Sequence, residues 1–298
     1  MIPHAVSGAA RLLEHGSRFK YDPDAHGGAL PELPEVESVR RGLVPVLTGA
    51  RIEEVELRRP DLRAPFPKDF RSRLIGQTVE ALNRRGKYLL ATVASGETLV
   101  MHLGMSGSFS IDSPAESDRH DHVVFRMSSG AVVTFNDPRR FGFMDLLTRR
   151  ELADHPVLSR LGLEPLSPEF DAAALALACR GKRTSLKAAL LDQRVVAGLG
   201  NIYASEALHL AGLSPSRRAS TIATPAGVPR EAAHRLSAAI KQVLTIALER
   251  ISRASYRASR FRVYDREGKR CPRARCGGTI RRRTQAGRST FYCPVCQH

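Results

Sequence analysis

Residues 271–296 read CPRARCGGTIRRRTQAGRSTFYCPVC and hold four of the chain's five cysteines in two close pairs. Four thiolates in two such knuckles are the ligand set and the spacing of a structural zinc site. Two disulfides or four unrelated thiols are the alternatives. Zinc is favoured because residues 1–30 lack the apolar core of a secretory signal. The sequence therefore predicts one zinc ion held by Cys271, Cys276, Cys293 and Cys296.

The stretch between the two cysteine pairs has the pattern of a β-hairpin. Residues 279–280 and 290–292 are strand-like, and residues 285–287 between them are typical of a turn. Arginines near this turn are candidates for contacts with phosphates or the minor groove, namely Arg281, Arg282, Arg283 and Arg288. A four-cysteine ribbon alone does not specify a function, because many proteins use one as a structural clip.

The C-terminal sixth of the chain also carries most of its positive charge. The sequence has 46 Lys and Arg against 30 Asp and Glu, a net charge of +16. Residues 253–298 contain 13 basic and 2 acidic residues, so 11 of the 16 excess charges lie there. A polyanion is therefore the expected partner, with nucleic acid first and an anionic membrane surface second. A solvated basic tail is the alternative, but this tail contains the cysteine pairs.

Length and composition limit the class of protein. A chain of 298 residues that is 42% hydrophobic is long enough for two or three domains with their own cores. No apolar run approaches the ~18 residues of a membrane span, which excludes an integral membrane protein. The hydrophobic content is also too high for a wholly disordered chain.

The region before the basic tail changes from a strand pattern to a helix pattern. Short segments bounded by turns predict strands over residues 52–57, 78–82, 88–93, 98–102, 108–111, 123–127 and 132–135. A short helix begins near Pro34, and further helices are predicted over 171–180, 185–193, 201–210 and from Pro229 onward. This order predicts an α+β, multi-domain chain in which an antiparallel β-sandwich precedes a helical domain.

Five motifs occur in a fixed order along the chain. They are PELPEVE at 31–37, HLGMSG at 102–107, NDPRRFG at 136–142, GLGNIYASE at 198–206 and the cysteine pairs. Together they closely resemble bacterial formamidopyrimidine-DNA glycosylase, over residues 31–298. The resemblance implies a β-sandwich over 31–148, a helix–two-turn–helix DNA-binding domain over 149–260 and a zinc finger over 261–298.

The resemblance also implies an activity. Such an enzyme excises oxidised purines, such as 8-oxoguanine and formamidopyrimidines, from duplex DNA, and then cleaves the strand at the abasic site by β,δ-elimination. It implies a monomer in the cytoplasm, associated with the nucleoid and without a membrane partner. The first cysteine pair has four spacer residues where many relatives have two, which leaves the ligand set intact.

Four residues match the family's catalytic positions. Pro31 resembles the N-terminal nucleophile, whose secondary amine attacks the sugar C1′ and forms an iminium. Glu32 matches the acid that donates a proton as the sugar ring opens, a role that requires a raised pKa. Lys87 resembles the lysine that holds a phosphate and assists β-elimination. Arg288 matches the finger arginine that grips the phosphates beside the lesion and has a role in δ-elimination.

Other residues match the family's DNA-contacting positions. Met105, Arg139 and Phe141 resemble the trio that enters the duplex when the damaged nucleotide is extruded, with the arginine bonded to the orphaned cytosine. Positions that resemble phosphate contacts are His120, Lys182, Lys187 and Asn201. Asn201 could instead cap its helix, and the two roles are compatible because helix N-termini bind phosphate well. Glu206, on the same helix, is a possible pocket residue.

Residues 1–30 conflict with the chemistry that the resemblance implies, because the family requires Pro31 to be the first residue. The segment carries three basic and three acidic residues and has no periodic pattern. We therefore expect it to be absent from the working enzyme, with initiation at Leu30 from a codon such as TTG and removal of the initiator methionine. Cutting by a protease, or an extension that leaves the enzyme inactive, are the alternatives.

Three other functions compete with the glycosylase and lyase. The endonuclease VIII branch shares the scaffold but prefers oxidised pyrimidines; Leu33-Pro34 and the complete trio of Met105, Arg139 and Phe141 favour the purine branch. A catalytically inactive DNA-binding protein would result if the extension blocked Pro31. A purely structural zinc ribbon leaves the N-terminal motifs without a role.

Overall fold

The computed structural model describes residues 31–112, 118–252 and 261–298. The predictions made for residues 1–30 therefore lie outside the described residues. Within the described ranges, no helix has both the length and the apolar character that a bilayer span requires.

The N-terminal part is a sandwich of two four-stranded antiparallel sheets, which confirms the predicted architecture. One sheet has the order β1-β6-β7-β5, with strands Ile52–Leu57, Asp121–Met127, Val132–Asn136 and Ser108–Ile111. The other has the order β2-β3-β4-β8, with strands Val79–Arg85, Tyr88–Val93, Thr98–His102 and Phe143–Leu147. Side chains from both sheets, such as Leu89, Phe109 and Phe135, share one buried core.

Strand β8 was not predicted from the sequence. It pairs with β4, so that Phe143 lies opposite His102 and Leu147 lies opposite Thr98. The two strands are separated by some forty residues, and no hairpin signal links them. Their pairing is therefore a property of the folded sheet and not of the local pattern.

Helix α1 (Leu33–Leu47) connects the sandwich with the helical domain. Leu33 packs in the core of the helical domain, whereas Val36 and Val39 pack in the core of the sandwich. Its first turn is closed by Glu35, whose carboxylate accepts the backbone N–H of Glu32 at 2.9 Å. The start of α1 is thus fixed at the junction of two cores.

The helical domain contains α3 (Arg149–Ala153), α4 (Ala172–Cys179), α5 (Leu186–Leu191), α6 (Asn201–Ala211) and α7 (Glu231–Ser252), and the short α2 (Phe70–Leu74) precedes it on the sandwich. Gly212, with φ of 72°, ends α6 in the left-handed conformation that favours glycine. The predicted cap is wrong by one residue, since Gly200 is the N-cap and Asn201 the first helical residue. The carboxylate of Glu32, the N-cap residue of α1, binds that end of α6 instead.

The finger has its own small core and one hairpin. Strands β9 (Arg281–Gln285) and β10 (Arg288–Tyr292) are joined by Ala286 and Gly287, which both have positive φ and form the predicted turn. Thr279 and Ile280 are not part of β9, contrary to the prediction. Their backbone instead pairs with residues 268–270 beside the first cysteine pair.

Candidate active site

A cleft of about 690 Å³ opens between the sandwich, the helical domain and the finger. It brings together residues that the sequence places far apart, namely Pro31, Lys87, Met105, Arg139, Phe141 and Arg288. The structure thus collects three of the four predicted catalytic residues and the whole predicted trio at one surface. His102, Arg63 and Gln193 also line the cleft.

Glu32, the fourth predicted catalytic residue, lies beside this cleft and is 1% exposed. Its carboxylate accepts the backbone N–H groups of Ile202, at 2.8 Å, and of Tyr203, at 3.3 Å, at the N-terminus of α6. Gly200 permits this approach, because a Cβ there would lie 2.3 Å from the Glu32 Cδ. Burial raises the pKa of Glu32 to about 7, although nearby Lys87 and the two N–H groups act to lower it. The carboxyl can therefore hold a proton near neutral pH.

Lys87 lies with Gly86 in the β2–β3 turn, and that turn is held by the helical domain. Burial lowers the pKa of Lys87, while the charge of Glu32 acts to raise it. Glu164 accepts the backbone N–H of Gly86 at 2.5 Å and a guanidinium N–H of Arg84 at 2.8 Å. The contact fixes the residue immediately before Lys87. No local pattern marks Glu164, because its partners lie about eighty residues away in the chain.

A second buried carboxylate supports the first. Tyr203 donates its hydroxyl to Glu35 Oε1 at 2.7 Å, and Glu35 is 2% exposed. The charge of Glu35 acts to raise the pKa of Glu32 further. Sequence reasoning did not identify Tyr203. A tyrosine on the buried face of α6 was the available signal, since a buried phenol needs a polar partner.

Two loops carry the predicted trio and are locked to each other by Asp137. This fully buried carboxylate accepts the Ser106 hydroxyl at 2.6 Å and the Gly142 N–H at 2.8 Å. Between these anchors, the Arg139 guanidinium stacks 5.0 Å from the centroid of the Phe141 ring, and Phe141 is 42% exposed. An apolar ring and a cation are thus held at the rim of the cleft. Asp137 lies inside a recognised motif, but its role was not predicted.

The loops also approach each other too closely for a larger residue at Gly104. A Cβ at Gly104 would lie 2.2 Å from the Phe141 carbonyl carbon, and φ there is +62°. His102 accepts the Gly104 N–H at its Nδ1, at 3.0 Å. Burial lowers the pKa of His102 to about 4, and the charges of Lys87 and Arg63 act in the same direction. His102 is therefore a neutral member of the cleft wall that sequence reasoning did not single out.

The four residues that were predicted to contact phosphates lie in different environments: Lys187 and Asn201 bind the finger hairpin, whereas His120 and Lys182 are partly exposed. Lys187 is 1% exposed, and its Nζ donates to the Ser289 carbonyl at 3.0 Å and to Thr290 Oγ1 at 2.8 Å. Asn201 also donates to the Ser289 carbonyl, at 3.1 Å. Lys187 is therefore buried with two of its three N–H donors used inside the protein, which leaves at most one for a direct phosphate contact.

His120 and Lys182 are partly exposed and lie outside the lining of the cleft. Glu206, considered from the sequence as a pocket residue, has a different role. Its carboxylate accepts the backbone N–H groups of Arg262, Val263 and Tyr264 at 2.7–2.9 Å. It thereby anchors the segment that leads into the finger.

The sulfur atoms of Cys271, Cys276, Cys293 and Cys296 all lie within 4.8 Å of one another. The Sγ–Sγ distance is 3.8 Å between Cys271 and Cys296, and 3.5 Å between Cys276 and Cys293. A tetrahedral zinc ion with Zn–S bonds of about 2.3 Å places its ligands about 3.8 Å apart. The four cysteines therefore fit one structural zinc ion. When bound, the metal joins the two knuckles at the base of the hairpin.

An antiparallel sandwich, a helical domain and a four-cysteine finger around one cleft define the architecture of a DNA glycosylase with lyase activity. Three family models match in this order: the formamidopyrimidine-DNA glycosylase N-terminal domain at 30–144, the formamidopyrimidine-DNA glycosylase H2TH domain at 161–257, and the zinc finger found in FPG and IleRS at 268–298. The chain belongs to the formamidopyrimidine-DNA glycosylase family.

Individual relatives agree with this assignment. The chain is 56% identical to a formamidopyrimidine-DNA glycosylase of Bradyrhizobium diazoefficiens and 55% identical to one of Beijerinckia indica, over 90% of this chain and 100% of each relative. It is similar to the Lactococcus lactis enzyme bound to DNA with an AP site, with a TM-score of 0.79 and 30% identity over 90% of this chain and 99% of that one. It is also similar to the MutM (Fpg) protein of Thermus thermophilus, with a TM-score of 0.76 and 38% identity over 90% of this chain and 98% of that one. These matches do not favour the endonuclease VIII alternative.

Proposed function

We propose that this chain removes oxidised purines, such as 8-oxoguanine and formamidopyrimidines, from duplex DNA and then cleaves the abasic strand by β,δ-elimination. The observation that carries the proposal is the single cleft that Pro31, Lys87, Arg139 and Arg288 line together beside buried Glu32. A nucleophile, a proton donor and cations for the phosphates are the groups that this reaction requires. The DNA substrate also assigns the activity to the nucleoid.

Pro31 supplies the nucleophile in this proposal. Its secondary amine attacks the sugar C1′ as the bond from C1′ to the base breaks. The C1′–O4′ bond then opens as O4′ takes a proton, and the iminium that forms between C1′ and the proline nitrogen acidifies the 2′ proton for elimination. An amide nitrogen cannot make this attack, so the reactive form is one in which the Pro31 nitrogen is free. Residues 1–30 must then be absent or removed in the working enzyme.

Glu32 and Lys87 act on protons and charge next to that nitrogen. A carboxyl with a pKa of about 7 retains a protonated fraction at neutral pH and can donate to the opening sugar ring. Lys87, whose pKa is lowered by burial, binds a phosphate and assists the first elimination. The charge of Lys87 acts to lower the pKa of Glu32, and the charge of Glu32 acts to raise that of Lys87, so each stabilises the charged form of the other.

Met105, Arg139 and Phe141 stabilise the extruded state of the damaged nucleotide. Flipping a nucleotide costs a few kcal/mol of stacking and pairing. An apolar wedge from the two loops and a hydrogen bond from Arg139 to the orphaned cytosine recover part of that cost. Because Asp137 already fixes both loops, little further ordering is needed when the duplex opens.

Arg288 grips the phosphates beside the lesion and assists the second elimination. It is exposed on the finger hairpin, and its neighbour Ser289 is held by Lys187 and Asn201. We infer that these two residues act through Arg288, by fixing the hairpin against α5 and α6. His120 and Lys182 remain proposed phosphate contacts on the outer surface. The functional units are the sandwich (31–148), the helical domain (149–260) and the finger (261–298).

The substrate class is tested by incision of three matched duplexes. The form that begins at Pro31 should cleave DNA containing 8-oxoguanine opposite cytosine, and should leave the undamaged duplex intact. A duplex with thymine glycol serves as the third arm. Preference for thymine glycol would contradict the proposed purine specificity, and binding without incision would contradict the proposed catalysis.

The nucleophile is tested by borohydride trapping of the covalent intermediate on lesion DNA. The form that begins at Pro31 should be trapped, and its Pro31→Gly variant should be impaired. A form that retains residues 1–30, verified by intact mass after the reaction, should not be trapped. Equal trapping of that intact long form would show that Pro31 is not the nucleophile.

A further inference from the structure

Helix α6 connects the proposed acid with the metal site. Its N-terminus binds the Glu32 carboxylate, as described above, and its last turn presents His209 to the finger. The His209 side chain is fully buried, and its Nε2 lies 3.3 Å from the Sγ of Cys271. Among the described residues, its Nδ1 has no hydrogen-bond partner. A polar ring in this position requires a reason, since burial of an imidazole is costly without a partner.

The chemistry of the cysteine defines the direction of this contact. A zinc-bound cysteine is a thiolate, which has no proton to give and can only accept a hydrogen bond. The proton must therefore lie on His209 Nε2, and the neutral ring then leaves Nδ1 unprotonated. An unprotonated ring nitrogen is also the less costly group to leave without a partner. The observed distance is ordinary for an N–H donor and a sulfur acceptor.

The same end of α6 is tied to the finger by the backbone. Arg273, in the four-residue spacer of the first cysteine pair, donates to the carbonyls of His209, at 2.6 Å, and Leu210, at 3.0 Å. These are carbonyls of the last helical turn, which no N–H within the helix can satisfy. Gln297 donates to the Leu213 carbonyl at 2.9 Å and accepts the Cys293 N–H at 2.8 Å. The metal ligands are thus held in place by a helix from another domain.

We propose that His209 is a positioning residue of the metal centre, donating an Nε2–H···Sγ hydrogen bond to the Cys271 thiolate from outside the finger. The bond withdraws electron density from the sulfur and fixes its orientation toward the metal. Partners of this kind change metal affinity by about 10–100-fold when they are removed. The cysteines alone then do not determine how tightly the metal is retained, because one hydrogen bond from α6 contributes as well.

The test uses the full chain with zinc replaced by cobalt, and the variants His209→Phe and His209→Gln. Phenylalanine keeps a planar ring but cannot donate, whereas the glutamine amide retains an N–H near the Nε2 position. Loss of the hydrogen bond should move the thiolate-to-cobalt charge-transfer band to lower energy. In the zinc protein, it should also accelerate metal release to a chelator by about tenfold. The His209→Gln variant should keep both the band energy and the rate of metal release close to those of the wild type.

Two controls separate the hydrogen bond from packing. Leu208→Val alters a neighbouring buried residue in the helical core and should leave the charge-transfer band unchanged. His209→Met replaces the phenylalanine variant if the latter does not fold, since methionine adapts to irregular cores.

Several outcomes would overturn the proposal. One is a charge-transfer band that does not move in the non-donating variants. A second is the same shift of the band in Leu208→Val. A third is an equal shift in His209→Gln and His209→Phe. A native spectrum of mixed sulfur and nitrogen ligands, lost in His209→Phe, would make His209 a ligand instead. None of these results depends on DNA incision, so the proposed catalytic function stands or falls separately.

Discussion

On the sandwich side of the cleft, Glu32 is buried and Lys87 half-buried. On the finger hairpin, Arg281, Arg282 and Arg288 are exposed, and Arg288 lines the cleft. Burial raises the pKa of Glu32 to about 7 and lowers that of Lys87. The exposed arginines are instead surrounded by water and salt. At about 0.1 M salt, their interactions with charges more than about 10 Å away are largely screened. One wall of the cleft thus holds charge suited to proton transfer, and the other holds charge suited to a polyanion.

The difference has a thermodynamic side. A buried charge costs stability unless it is paired, and its effect is largely protected from salt. An exposed charge changes stability little but attracts phosphates by an amount that depends strongly on salt. The two walls should therefore respond to different variables, pH for the sandwich side and ionic strength for the finger side.

The largest expected effect is on catalysis at the buried wall. Glu32→Gln keeps the shape of the side chain but removes the proton donor, so the single-turnover rate of base excision should fall by about 10²–10⁴-fold. Affinity for lesion DNA, measured in parallel, should change little because the residue is buried. A variant that excises at the wild-type rate would remove Glu32 from the mechanism.

The next effect concerns the exposed wall. If the finger and the proposed contacts neutralise ~6 phosphates, log affinity should fall with log salt with a slope of about −5. This corresponds to roughly a thousandfold loss of affinity between about 50 and 200 mM salt. Fluorescence anisotropy with an undamaged duplex measures this slope. An affinity for DNA that does not change with salt concentration would contradict the proposed role of the exposed arginines in binding phosphates.

A smaller effect is the pH dependence of stability. Because the folded pKa of Glu32 is raised from 4.5 to about 7, its contribution is fully present below pH 4.5 and is lost as the pH rises through 7. The loss is on the order of 3 kcal/mol by pH 8, since one pKa unit corresponds to about 1.4 kcal/mol. Glu32→Gln should therefore match the wild type near pH 4.5 and be the more stable protein at pH 8. Urea unfolding of both proteins at both pH values measures the difference in free energy of unfolding. A difference that is the same at pH 4.5 and pH 8 would contradict the prediction.

The smallest effect compares one arginine from each environment. Arg84 is paired with Glu37 and Glu164 in a mostly buried position, so Arg84→Gln should lower the free energy of unfolding by about 1–3 kcal/mol. Exposed Arg281→Gln should change it by no more than about 0.5 kcal/mol. Arg281→Gln should instead make the salt slope less steep by about 1. Equal stability losses would show that burial is not what distinguishes the two positions.

Several elements could be predicted from the sequence with their correct ends. The strands Ile52–Leu57 and Thr98–His102 follow from local alternation. The predicted finger turn is one residue too long, because Gln285 is the last residue of β9. The zinc ligands follow from the close spacing within each cysteine pair and from the lack of a secretory signal. In each case the information lies in short stretches of the chain, over which backbone period, turn geometry and ligand spacing act.

The features that the sequence did not place share the opposite property, because they depend on contacts between residues far apart in the chain. Lys187 resembles a phosphate contact in sequence, but its ammonium is taken up by Ser289 and Thr290, about a hundred residues away. Glu164 and His209 were not identified because their partners, Gly86 and Cys271, lie 78 and 62 residues away in the chain. Strand β8 was missed for the same reason.

The sequence by itself thus determined the order of sandwich, helical domain and finger, the metal ligands and the identity of the groups in the cleft. Only the tertiary structure decided which of those groups are buried, and burial sets the pKa of Glu32 and removes Lys187 from solvent. The physical reason is that ligand spacing and backbone period are local properties. Dielectric environment and hydrogen-bond partners depend instead on segments that meet only after folding.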